Sequence, residues 1–92
     1  MKWRARTAPK LVRRSWEGES VVFSPISGET HFLNAFSDEI LATLETGPLA
    51  VEDVIERLVE IMPDDEADRV RDEVIGVMHR FDDIGLIEPW ES

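Results

Sequence analysis

The chain has 92 residues, 42% of them hydrophobic, no cysteine and a formal net charge of −10. That length makes one domain with a modest core, and the lack of cysteine excludes disulfides, thiolate metal sites and a cysteine nucleophile. The lack of cysteine fits a reducing cytoplasm; no apolar run reaches the roughly 20 residues of a membrane helix, and the basic N-terminus lacks the apolar centre of a secretory signal.

The charge is unevenly placed. Residues 1–16 hold Lys2, Arg4, Arg6, Lys10, Arg13 and Arg14 and no acid, while the rest holds four basic and all twenty acidic residues. An acidic body repels nucleic-acid phosphates and suits basic peptides or protein surfaces. Residues 1–9 read as a flexible basic arm. It stays disordered, folds onto the acidic body or touches a partner, with Trp3 as a docking residue or packed on the body or a second copy. Residues 10–92 read as a single domain.

Leu11 to Trp16 suits a first strand, with Val12, Arg14 and Trp16 on one side and Leu11, Arg13 and Ser15 on the other. Glu17-Gly18-Glu19 is a tight turn. Val21-Val22-Phe23 has the composition of a buried second strand. Pro and Gly punctuate Ser24 to Gly28 as a loop, and Thr30 to Leu33 forms a third strand. Two short connections make an antiparallel meander with the third strand at its edge.

Helices follow. Asn34 is the N-cap of the first, where its side chain accepts a free backbone N–H. This helix carries Phe36, Ile40, Leu41 and Leu44 and runs to about Glu45, where Gly47 and Pro48 stop it. The second spans Val51 to Met62, with Val51, Val54, Ile55, Leu58 and Met62 on one face. The third is capped by Asp64 or Asp65, and its stripe of Ala67, Val70, Val74, Val77, Phe81 and Ile84 is spaced for one face. Gly85 ends it in a left-handed conformation, Leu86-Ile87 packs back, and Trp16 and Trp90 cover core edges.

On the flank of the third helix, Arg71, Ile75, Met78 and Asp82 cluster at about 100° per residue. Ile75 and Met78 either broaden the core contact or line a groove. Met suits a groove because it is flexible and polarizable.

The order strand-strand-strand-helix-helix-helix resembles the PqqD family of peptide chaperones, also called RiPP recognition elements. The resemblance lies in Leu33-Asn34 entering the first helix, Ile40-Leu41 inside it and the Gly47-Pro48 break. Val51 to Leu58 and the Phe81-x-x-x-Gly85-Leu86-Ile87 ending complete it. Ser27-Gly28-Glu29-Thr30-His31-x-Leu33-Asn34 is similar to the branch associated with HPr-kinase-related proteins.

The resemblance implies a winged-helix-like α+β fold, a three-stranded antiparallel sheet followed by three helices. It implies a non-catalytic adaptor without cofactor or metal that binds the leader of a ribosomally synthesised precursor peptide. The leader adds as a strand to the edge of the third strand, lies against the third helix and is presented to a modifying enzyme or an HPr-kinase-related protein. An edge strand offers unpaired backbone groups, and pockets on a neighbouring helix add selectivity. Thr30, His31, Phe32 and Leu33 would supply the ladder; the helical wheel offers Arg71, Ile75, Met78 and Asp82 as the wall.

Other chemistry has little support. His31 and His79 lack a ligand spacing, and a Ser-His-Asp arrangement finds no footing in two scattered histidines. Asp64-Asp65-Glu66 and Asp68 lack the alternating ligands and Gly of a calcium loop, and suit the positive end of a helix dipole. A DNA-binding winged helix fits the element order, but the acidic body opposes it. A homodimerisation or regulatory subunit module remains the main alternative, because an exposed strand edge pairs with a second copy as readily as with a peptide.

Overall fold

The computed structural model of the chain describes residues 1–6, 11–17, 19–24 and 27–91. In chain order these form β1 (Lys2–Ala5), β2 (Val12–Trp16), β3 (Glu19–Ser24), β4 (Glu29–Leu33), α1 (Ala35–Glu45), β5 (Leu49–Ala50), α2 (Val51–Ile61), α3 (Ala67–Asp83) and β6 (Ile87–Trp90). The fold is α+β. It holds the expected meander and three helices, and also a second antiparallel sheet that the sequence did not announce.

The meander has the order β2-β3-β4, with Val22 facing Arg13 on one side and His31 on the other. Side chains alternate across it. The inner face buries Ser20, Val22, Ser24 and Leu33. Gly28, at φ 72°, supplies the left-handed turn entering β4, and its N–H donates to the Ser24 carbonyl at 2.8 Å. The expected turn residue Gly18 and the loop residues Pro25 and Ile26 lie outside the described residues.

A polar clamp ties the meander to α1. The Arg13 guanidinium pairs with the Asp38 and Glu45 carboxylates, two turns apart on one helix face, and donates to the Asp38 carbonyl at 3.2 Å. The Ser20 hydroxyl donates to Asp38 Oδ1 at 2.6 Å and meets the Ser15 hydroxyl at 2.7 Å. Asn34 caps α1 as expected: its side-chain oxygen accepts the Ser37 N–H at 2.8 Å. α2 ends at Ile61, with Met62 as its C-cap. α3 begins after Glu66 rather than Asp64 or Asp65, without a side-chain cap.

The second sheet has the order β5-β1-β6 and corrects the reading of the N-terminus as a flexible arm. Residues 2–5 pair with both the segment after α1 and the C-terminal strand: Lys2 faces Ala50 and Trp90, and Trp3 faces Leu49 and Pro89. The basic charges find partners on the acidic body. Arg4 and Arg6 reach Glu88 at 3.3 and 4.0 Å, Arg6 Nε donates to the Gly85 carbonyl at 2.8 Å, and Lys2 Nζ lies 5.8 Å from the Trp90 ring centre. Residues 7–9 of the same arm lie outside the described residues.

Ile40, Leu41 and Leu44 of α1, Val54 and Leu58 of α2, Val74 and Phe81 of α3, and Leu86 and Ile87 meet in one core. Gly85, at φ 79°, turns the chain so that Leu86-Ile87 packs back onto it. The buried stripe of α3 differs from expectation: Val70, Val74, Met78 and Phe81 are buried, Ala67 is exposed, and Val77 and Ile84 are half-buried. The physical reason is β1. Its Trp3 covers the Met78 side of α3, rotating the buried arc toward that flank.

Candidate functional site

The meander has two outer strands, and the free side of β4 pairs with no other strand among the described residues. Period two divides the β4 side chains. Thr30 and Phe32 stand on the outer face, Phe32 at 79% exposure, while His31 and Leu33 turn inward. Leu33 is core. The His31 side chain is 17% exposed, its Nε2 lies 3.9 Å from Glu29 Oε2, and no described atom hydrogen-bonds that nitrogen. Such a buried, unpartnered ring nitrogen retains hydrogen-bonding capacity for an incoming group.

Asn34, the residue that follows β4, borders a groove of about 290 Å³ between the start of α1 and one flank of α3. Asn34, Phe36 and Ser37 form one wall; Glu73, Gly76, Val77 and Arg80 form the other. A Cβ placed on Gly76 would have no neighbour within 4 Å. The α3 wall is therefore bare in the middle and charged at both ends.

The expected wall residues do not stand there. Arg71 forms a two-pronged ion pair with Glu52 at the start of α2, at 2.9 and 3.2 Å. Ile75, Met78 and Asp82 line a separate hollow of about 140 Å³ with Trp3, Val51 and His79. Met78 is 5% exposed, so its apolar character serves the core. The structure thus brings Thr30, His31, Phe32 and Leu33 together on one strand but sets Arg71, Ile75, Met78 and Asp82 on another flank. The groove beside Asn34 is lined instead by Glu73, Gly76, Val77 and Arg80, of which only the mid-helix Gly76 stands out in the sequence.

The outer face of the meander is also unusual. Val12, Trp16, Phe23 and Phe32 are 55%, 49%, 39% and 79% exposed. The register puts Val12 opposite Phe23, and Phe32 opposite the half-buried Val21. Trp16 therefore belongs to this surface rather than to a core edge. Several large exposed apolar side chains on one face of a small sheet mark it as a candidate contact surface. Among the described residues no group of three His, Asp or Glu side chains is placed to hold a metal ion, and no helix is long and apolar enough to cross a membrane.

No curated protein matches the chain. A solved structure described as "TbiB1 in Complex with the TbiA(beta) Leader Peptide" is similar in fold: the TM-score is 0.78 at 17% sequence identity, over 97% of this chain and 99% of that one. The profile of the family described as "Coenzyme PQQ synthesis protein D (PqqD)" matches residues 19–87, which run from the start of β3 to the first residue of β6 and include β4, α1 and α3. The strand edge and the helix groove both fall within that match, and the chain belongs to the PqqD family.

Proposed function

We propose that this protein is a non-catalytic peptide chaperone. It binds the leader of a ribosomally synthesised precursor peptide by strand addition to β4 and presents it to a modifying enzyme. The observation that carries this reading is the free edge of β4, followed at once by Asn34 on the border of the α1–α3 groove. Unpaired backbone groups there give affinity with little sequence demand, and the groove supplies selectivity. That the structurally similar TbiB1 was solved with a leader peptide supports the reading. Thr30, His31, Phe32 and Leu33 form the ladder in this proposal, with Glu73, Gly76, Val77 and Arg80 as the helix wall.

Titrating the isotope-labelled protein with the leader of the peptide encoded beside its gene should move the amide signals of Glu29 to Leu33 and of Gly76 and Val77. Changes centred on Arg71, Ile75, Met78 and Asp82 would move the site to the other flank, and changes confined to residues 1–6 would sink strand addition. Light scattering addresses the second reading: a stable homodimer indifferent to the leader favours an oligomerisation module.

The outer face supports the second half of the proposal, delivery to an enzyme. An added strand extends this sheet, so the leader's outward side chains would join Phe32 and Phe23 in a single apolar surface. Phe23→Glu should leave leader affinity within about twofold, as a surface change away from the β4 edge, and abolish leader-dependent modification. Full modification by that variant would clear this face of the role. The Ser27–Asn34 segment adds the proposal that the enzyme is HPr-kinase-related, which a binding assay with that neighbouring gene product tests.

A further inference from the structure

The α3 wall of the groove has a definite chemical order. Glu73 stands one turn before Gly76 and Val77, and Arg80 one turn after them. Glu73 has a single described partner, Arg69 at 3.4 Å, and the two side chains are 49% and 73% exposed. An exposed pair of this kind holds its members weakly. Arg80 forms no ion pair with any described residue.

Gly76 is the second observation. In mid-helix, alanine is the better helix former. A Cβ at Gly76 would touch nothing within 4 Å, so packing among the described residues gives no reason for glycine. The space it leaves points into the groove, where Val77 and the half-buried Phe36 supply apolar surface.

The spacing sets what can fill it. Seven helical residues separate Glu73 from Arg80 by roughly 10.5 Å along the axis. In an added strand, residues i, i+2 and i+4 share one face, and i to i+4 spans roughly 13 Å. Charged side chains at i and i+4 can therefore reach both ends, leaving i+2 over Gly76.

We infer that the α3 wall selects leaders in which a basic and an acidic residue, four apart, bracket an apolar one. The basic residue pairs with Glu73, the apolar side chain sits in the Gly76 notch against Val77 and Phe36, and the acidic residue pairs with Arg80. This rule rests on the strand-addition reading of β4.

Two synthetic twelve-residue peptides test it, one centred on Lys-Thr-Leu-Thr-Glu and the other with the Lys and Glu exchanged. The protein should prefer one of them by roughly threefold to tenfold at low salt, the range for two exposed ion pairs, and added salt should shrink the preference. In the double variant Glu73→Lys/Arg80→Glu the preference should invert. Gly76→Ala should raise Tm by about 3–6 °C through helix propensity, yet weaken the preferred peptide by roughly tenfold through overpacking.

If both peptides move the β4 amides but bind equally well to the parent and the double variant, the charge rule is overturned and strand addition stands. If neither moves those amides, both are overturned. Undiminished binding by Gly76→Ala overturns the notch.

Discussion

Phe81→Ala is expected to remove about 3–5 kcal/mol of folding stability, the usual result of truncating a wholly buried phenylalanine. Phe81 is 0% exposed and packs within the core formed by α1, α2, α3 and Leu86-Ile87. Its carbonyl accepts the Leu86 N–H at 2.9 Å, a backbone bond the substitution leaves in place, so the loss isolates the side chain. Stability for small domains is roughly 5–15 kcal/mol, so this is a large fraction of it. Urea denaturation should show a lower midpoint with an unchanged slope; a loss under about 2 kcal/mol would contradict a closed core at this position. The consequence reaches the site. α3 is one wall of the groove, and its inward face is fixed chiefly by Val74 and Phe81. Leader binding should therefore fall along with stability in Phe81→Ala, whereas in Gly76→Ala the two should move in opposite directions. That contrast separates damage to the scaffold from damage to the recognition surface.

The features legible in the sequence are those decided by neighbours along the chain. Asn34 caps α1 because its own side chain reaches the Ser37 N–H three residues on. Gly28 and Gly85 mark left-handed turns that exclude most other residues. The β2-β3-β4 meander was legible because its turns are short and its pairings local. β1 was not, because its main partner, β6, lies at the other end of the chain: Lys2 faces Trp90, and nothing in Lys-Trp-Arg-Ala announces that pairing. With β1 unseen, the sequence could not show that Trp3 and Val51 share the hollow beside Ile75 and Met78. The flank of α3 that lines the groove beside Asn34 carries Glu73, Gly76 and Arg80. Under the proposed function that flank receives a peptide and is wet in the unbound protein, so its residues read like any solvated helix face. Half of the candidate site, the strand edge, follows from topology; the other half depends on which side of α3 the N-terminal strand occupies.

A pair of proline substitutions should separate the ladder that builds β4 from the edge that receives a leader. In an antiparallel strand, successive residues direct their N–H groups to opposite sides, so of Thr30 and His31 one donates toward β3 and the other toward the free edge. Proline removes the donor and projects its ring where the N–H pointed. On the β3 side this breaks the sheet, with an expected cost of roughly 2–4 kcal/mol, as for other backbone misfits. On the free side it leaves the native ladder whole. That second variant should keep its Tm within a few degrees of the parent, since the missing bond was never made in the unbound protein. Its leader affinity should nevertheless fall at least about tenfold, because a backbone bond is lost and the ring blocks the approach of an added strand. The matched pair on the opposite outer strand, Arg14→Pro and Ser15→Pro, supplies the control: its folded member should bind the leader as the parent does. Full binding by the folded β4 variant would remove strand addition at this edge. Loss of binding in the folded β2 variant instead would move the leader to the far side of the sheet, away from Gly76 and Arg80.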